Sequence, residues 1–382
     1  MAVELISRAT VRGFRSLRDV DVELRPFTVL VGANGSGKSN FIELFTMLNY
    51  TFGSTQGGLQ IYVGRKGRAS SLLYYGPEVT RHLDLSLMFQ GEAGWSRYSA
   101  SLAWGAPDDL FFTSEQLELQ RSGDALPRVA ELGGGARESR VLAVSERASD
   151  DWERAVARSF RYRLRQVRAY HFHNTLEEAA IRVSQDLQRE SYLLSTGGNI
   201  AAFLHKLRED HPGVYSRILA SVQTVAPFVR DFELEPETPG GRSIMLKWRD
   251  RSDRVFGPRQ LSDGTLRAVA LITALLQPDE TMSSVMIFDE PELGLHPAAV
   301  SLIAELLKAA SLKRQVIVAT QSPLLLRDYG PDDIVVVERE DEPSGRGATV
   351  FRRLEADALA GWLEDFDLGE LYEKNVTGGY PR

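Results

Sequence analysis

Residues 27–45 read FTVLVGANGSGKSNFIELF: an apolar run, a glycine-rich octet, then apolar residues at helical spacing. Phe27 to Val31 have the character of a strand buried on both faces, which a parallel sheet requires. Gly32, Gly37, Lys38 and Ser39 fit the phosphate-loop template GxxxxGK[ST]. Phe41, Leu44, Phe45 and Leu48 then fall on one face of a helix. Strand, loop, helix is the context that phosphate cradling needs. Backbone N–H groups of Gly32, Asn34, Gly35, Ser36 and Gly37 can converge on phosphate oxygens, and the helix N-terminus adds partial positive charge. Lys38 then reaches the β and γ phosphates, and Ser39 is placed to ligate magnesium. The bland alternative, a glycine-rich turn with a solvated lysine, leaves the strand before it and the helix after it unexplained.

Upstream, LISRATVRGFRSLRDVDVELRP alternates apolar and polar residues and predicts two further strands before the buried one. Downstream, residues 51–150 are glycine-rich with alternating segments such as RHLDLSLMF, which predicts antiparallel strands joined by exposed turns. Residues 151–255 are expected to be a mainly helical insertion, with DWERAVARSFRYRLRQVR as its clearest periodic piece. From 256 to 382 helix and strand alternate, and the apolar strands SSVMIFD, QVIVAT and DDIVVVE imply a largely parallel sheet covered by helices. The expected organisation is an N-terminal lobe over 1–150, the insertion over 151–255 and a C-terminal lobe over 256–382.

Two more constellations carry chemistry. SSVMIFDEPE is a strand ending in Asp289 and Glu290, both at the carboxyl edge of the expected sheet. Asp289 is the candidate for holding magnesium through its water shell, and Glu290 for polarising an attacking water. LSDGTLRAVALITALL puts Ser262 and Gly264 at the start of a long apolar helix, where hydroxyl, amides and dipole together favour an anion. Alone these read as an acidic turn and a capped helix. Behind a phosphate loop they read as parts of one site.

The order of motifs resembles a known family: phosphate loop, a helix opening LSDG, the strand MIFDEPE followed by LGLHP, then VIVATQS. It looks like the ATP-binding-cassette head of the SMC, RecF and OLD-like ATPases, and most closely the stand-alone bacterial predicted AAA-family ATPases allied to them. YHFHNT at 170–175 and the ending LGELYEKNVTGGYP look like that group too. The resemblance implies an α/β fold, an ABC-type P-loop NTPase head with a mixed, mostly parallel sheet, an N-terminal antiparallel part and a helical insertion. It implies ATP and Mg2+ as cofactors and a homodimer in which Ser262 and Gly264 cap the γ-phosphate of ATP held by the partner chain. The loop Glu292 to Pro297 would cross between the two sites. Two departures arise from the residues present. Where many such heads carry a switch histidine, this chain has Gln321, which donates a hydrogen bond but relays no proton, so slow hydrolysis is expected. For a Q-loop glutamine the candidates are Gln56, Gln60 and Gln90, with nothing in the sequence to choose between them.

With 43% hydrophobic and 25% charged side chains over 382 residues, no cysteine and a formal net charge of -7, the chain is an ordinary globular protein. Disulfide staples, a membrane span and a secretory signal are unsupported, so the cytoplasm is the expected location. The acidic balance argues against a broadly basic nucleic-acid binder and leaves local patches open. One such patch is Arg154, Arg158, Arg161, Arg163, Arg165 and Arg168 with Tyr162 and Tyr170 interleaved, which reads either as a phosphate-tracking stripe or as a solvated face. His171 and His173 share a strand face, and without a third ligand a structural role is the expectation over a metal.

Three functions compete. In the first, ATP-driven homodimerisation acts on DNA, in repair or in defence against phage. In the second, a slow nucleotide-gated scaffold controls a separately encoded effector such as a nuclease. The third, an ABC transporter head, fits the DEPE strand and the LSDG helix less well. DNA and an effector protein are the candidate partners besides ATP and a second copy, and no membrane is expected.

Overall fold

In the computed structural model, which describes residues 4–53, 58–188, 191–238, 240–341, 343 and 345–380, the chain opens with β1 (Leu5–Phe14) and β2 (Leu17–Glu23). It then enters β3 (Phe27–Val31), buried at every position. The phosphate loop leads into α1 (Lys38–Gly53), followed by α2 (Gly58–Arg65) and the long strands β4 (His82–Gly91), β5 (Gly94–Gly105) and β6 (Asp109–Arg121). Next come β7 (Arg128–Glu131), α3 (Val141–Arg147), α4 (Asp151–Arg165), β8 (Val167–Tyr170) and β9 (Gln185–Asp186). The helices α5 (Ile200–Asp210) and α6 (Pro212–Val225) precede β10 (Val229–Glu233), β11 (Ser243–Ile244), β12 (Lys247–Asp250) and β13 (Val255–Phe256). The last part holds α7 (Asp263–Leu276), β14 (Val285–Asp289), α8 (Pro297–Ser311), β15 (Gln315–Thr320), β16 (Ile334–Asp341) and β17 (Gly347–Arg353).

Two six-stranded sheets organise these elements. One is antiparallel throughout, in the order β2-β1-β4-β5-β6-β7. Its strands alternate as the sequence does: in β4 Leu83, Leu85, Leu87 and Phe89 are buried, with the residues between them turned toward solvent. The other sheet runs β17-β16-β3-β15-β14-β8, parallel except for the antiparallel edge strand β17. Its central strands are apolar on both faces because both faces are covered. Leu30, Ile287, Ile317 and Val335 point into one core, together with Phe41, Leu44, Phe45 and Leu48 of α1 and the inner face of the antiparallel sheet. Val29, Val31, Phe288 and Val318 point into a second core formed with α5, α6, α7 and α8. Helix α1 is therefore packed between the two sheets, and each large apolar side chain it buries contributes roughly 1.5–3 kcal/mol.

The stretch 151–255, expected to be a mainly helical insertion, holds α4, α5 and α6 and supplies strands as well. The four residues of β8 pair in parallel with β14, Tyr170 opposite Phe288, and so join the sheet that carries the phosphate loop. A three-stranded sheet, β10-β12-β13, and the β9–β11 pair accompany α5 and α6. No helix among the described residues is long and apolar enough to cross a membrane.

Candidate functional site

Each glycine of the phosphate loop answers a different local demand. A Cβ on Gly32 would lie 2.1 Å from the carbonyl oxygen of Val337 on β16, and one on Gly37, at φ +112°, would lie 2.0 Å from Oγ1 of Thr349 on β17. The loop is thus pressed against the neighbouring strands. Thr349 Oγ1 donates to the Ser36 carbonyl at 2.8 Å and shares a 2.7 Å hydrogen bond with Ser16 Oγ from the β1–β2 turn. Asn40 Nδ2 donates to the same Ser16 oxygen at 2.7 Å. Asn34 and Gly35 are exposed at the tip, and Gly35 takes a left-handed φ of +79°.

Lys38 is buried, and its ammonium donates to the Gly32 and Ala33 carbonyls at 2.6 and 3.0 Å. Burial pushes it below its ordinary range, against the pull of Glu290, Asp289 and Glu292. That pull requires the carboxylates of β14 and the loop after it to lie close to the phosphate loop. The intervening strand is β15, so the carboxyl ends of β3, β15 and β14 form one continuous edge.

Asp289 ends β14, with the Ser39 hydroxyl opposing the effect of burial on its carboxyl. Its Oδ1 is buried without a partner among the described residues, and burial raises its carboxyl above the ordinary range. An orphaned carboxylate oxygen beside a serine hydroxyl fits a hard divalent cation that keeps most of its waters. Glu290 comes next at φ +42°, a left-handed conformation rare for such a residue, and its N–H donates to the Ala319 carbonyl at 2.8 Å. Backbone strain of roughly 1–3 kcal/mol is retained where surrounding bonds over-determine it, and it is characteristic of functional positions. Gln321 directly follows β15, on the same edge.

Sequence marks Glu292 only by its place in the crossing loop, and the structure gives it a further role. It accepts a hydrogen bond from the Thr320 hydroxyl, whose oxygen in turn accepts from the Ser322 N–H at 2.9 Å, so it is tied to the residues on either side of Gln321. Burial raises its carboxyl, opposed first by the Thr320 bond, and its Oε2 is buried without a partner among the described residues. The legible signal is a third acid within DEPE.

Ser262 is the N-cap of α7, accepting from Thr265 N at 3.1 Å. A Cβ on Gly264 would meet the Gly294 carbonyl at 2.1 Å, so the helix starts directly on the loop after β14. Among the described residues, no hydrogen bond joins Ser262, Asp263 or Gly264 to residues 32–39.

Of the three glutamines considered for a Q-loop, Gln56 lies outside the described residues. The Gln60 amide donates to the Leu110 and Arg137 carbonyls, and Gln90 pairs with Trp95 within the antiparallel sheet, so neither stands on the edge that carries Asp289. The strand beside β14 is β8, and from its end the chain continues through His171 to Asn174. His171 shares a 2.9 Å hydrogen bond with Thr46 of α1, and burial lowers its pKa. No group of three His, Cys, Asp or Glu among the described residues is arranged to hold a metal.

The arginine run does not form one face. Arg154, Arg158, Arg161 and Arg165 keep helical spacing on α4, whereas Arg163 turns inward to bond Ser96 Oγ at 2.5 Å and Glu4 at 2.8 Å. Tyr170 is buried, stacked on Phe288 at 5.2 Å. Arg158, Arg161, Tyr162, Arg165, Arg168 and Tyr192 line a groove of about 750 Å³.

Comparison with known proteins bears on the whole arrangement. A protein-family model described as "AAA domain, putative AbiEii toxin, Type IV TA system" matches residues 27–327. No curated protein matches the chain. Among solved structures, an SMC head bound to the C-winged helix domain of ScpA superposes with a TM-score of 0.59 at 16% identity, covering 92% of this chain and 98% of that one. The Smc head with an extended coiled coil, bound to the C-terminal domain of ScpA, derived from Pyrococcus furiosus, gives 0.54 at 15% identity, covering 95% and 99%. The Smc head with a coiled coil and joint from Pyrococcus yayanosii gives 0.53 at 14%, covering 95% and 99%. The fold is that of an ABC-type ATPase head.

Proposed function

Because the chain belongs to this AAA-domain family, we propose that it binds and hydrolyses ATP with Mg2+ and that two ATP-loaded chains close into a homodimer acting in DNA repair or anti-phage defence. The observation that carries the reading is the shared edge. Lys38, Ser39, Asp289, strained Glu290 and Gln321 stand at the carboxyl ends of three adjacent strands, and the Ser262 cap bonds to none of the loop they face. Lys38 exchanges its carbonyl partners for the β and γ phosphates, Ser39 and Asp289 hold the cation, and Glu290 orients water for attack. Magnesium, when bound, neutralises charge on the β and γ phosphates. Purified protein is expected to release phosphate slowly from ATP and to stop when EDTA removes the metal. Turnover that persists through chelation would remove Asp289 and Ser39 from the assignment.

The second reading, a slow nucleotide-gated scaffold for an effector such as a nuclease, is favoured by Gln321, which relays no proton. DNA-stimulated hydrolysis separates the two readings.

The groove along α4 is the proposed DNA contact. Arg165 has no side-chain partner among the described residues, Arg161 meets Glu146 at 3.3 Å near the surface, and Arg168 lies 4.4 Å over the Tyr192 ring. Charge reversal at Arg158, Arg161 and Arg165 is expected to weaken duplex binding at low salt and to flatten the log–log salt slope by roughly 0.9 per lost phosphate contact. Anisotropy titrations across a salt series read both. Unchanged affinity and slope would return the face to solvent.

A further inference from the structure

The helix that starts at Ser262 is held by a residue outside its own motif. Arg182 lies in the segment after β8, and its side chain is 6% exposed. Its guanidinium donates to the Thr175 carbonyl at 2.7 Å, to the Pro258 carbonyl, to the Leu261 carbonyl at 3.3 Å and to Asp263 Oδ1 at 2.7 Å. Three of these acceptors belong to the turn that delivers Ser262 to the start of α7. Burying a cation costs several kcal/mol before its bonds repay it, and a packed apolar side chain would fill the same space without that cost. What an apolar residue cannot do is fix three points of one turn with a planar fork of donors. The Arg182 hydrogen bond is the largest cause holding the Asp263 carboxyl below its ordinary range.

The other end of the same segment reaches the metal edge. The His173 carbonyl accepts from Arg267 Nη2 at 2.9 Å, while Arg267 Nη1 donates to the Leu293 carbonyl at 3.0 Å. Arg267 sits on α7 and Leu293 in the loop after β14, so one guanidinium ties helix, loop and segment together. β8 pairs Tyr170 with Phe288, so the chain leaves β8 beside Asp289 at the end of β14. Residues 173–182 therefore run from beside the carboxylate that ends β14 to the turn that carries Ser262.

We propose that this segment is a strap that sets the Ser262–Gly264 cap relative to the chain's own metal site, with Arg182 as its latch. Resting on the reading that the cap acts on the partner's ATP, the strap passes the state of one nucleotide site to the other. Arg182 is a positioning residue: it touches no nucleotide and fixes the turn that does.

Arg182→Ala is expected to bind Mg-ATP as the parent does, because the phosphate loop is untouched, yet to lose about a hundredfold in hydrolysis, the scale of an ångström's misplacement. Arg182→Lys, which keeps the charge without the fork and avoids an empty cavity, should be impaired in the same way. The deciding measurement mixes Arg182→Ala with Glu290→Gln, each nearly inactive alone. In the mixed dimer one site combines an intact Glu290 with an intact cap, and activity should return. Wild-type turnover by both Arg182 variants overturns the proposal. So does a mixture that stays inactive while Ser262→Arg mixed with Glu290→Gln recovers, since Arg182 would then support its own chain generally. If Ser262→Arg alone hydrolyses ATP normally, the reading beneath the proposal falls instead, and the strap with it.

Discussion

Lys38→Ala is expected to lose ATP binding. The ammonium is the only cation among the side chains of the loop from Gly32 to Ser39, and it stands in the field of Asp289, Glu290 and Glu292. Without it, β and γ phosphates would enter beside three carboxylates with no opposing side-chain charge. Hydrogen bonds involving a charged group contribute roughly 1.5–3 kcal/mol each, so losing those to two phosphates weakens binding at least about a hundredfold. The fold should survive. Burial already disfavours the charged lysine, and its only hydrogen-bond acceptors among the described residues are two carbonyls of the loop itself. Calorimetric titration reads the affinity and a thermal melt checks the fold. An unchanged affinity would remove the phosphate-loop assignment, and Glu290, Ser262 and Gln321 would lose their proposed roles with it.

The parts of the fold that sequence exposes are those whose signal is local. β3 announces itself because five buried residues abut a glycine-rich loop, and β14 because an apolar run stops at two acids. The antiparallel strands are legible through period-two burial, of which β4 is the clearest case. β8 is different. Val167–Tyr170 directly follows an arginine-rich helix, and only pairing with a strand more than a hundred residues later makes it part of the sheet. With that partner invisible in the sequence, the residues after β8 read only as a histidine pair, and Gln56, Gln60 and Gln90 become the candidates for the edge beside Asp289. Arg182 and Glu292 escape a sequence reading for a related reason. Their importance lies in acceptors scattered over 175–263 and in Thr320, contacts that no local spacing encodes. Arg163 shows the converse: it shares a run with Arg161 and Arg165, but helix rotation turns it toward Glu4.

Glu290→Gln is expected to accumulate as an ATP-bound dimer. Lys38, Ser39 and Asp289 are untouched in this variant, so nucleotide and metal are held, while the group proposed to polarise water is gone and hydrolysis falls by roughly 10²–10⁴. Gln321 offers no replacement, since an amide accepts no proton at this edge. Ser262→Arg should show the opposite behaviour. Its phosphate loop is complete, so a single chain still binds ATP, but the arginine replaces the hydroxyl that caps α7 and adds bulk beside Thr265 and Gly264, where Gly264 already touches Gly294. Closure is blocked and turnover is lost. Light scattering in ATP and magnesium should therefore report a dimer for Glu290→Gln and a monomer for Ser262→Arg. If the protein is dimeric without nucleotide, the ATPase rate of Ser262→Arg decides in place of mass. A Glu290→Gln chain that holds ATP yet stays monomeric would mean that hydrolysis is completed within one chain, with Ser262 no more than the cap of its own helix.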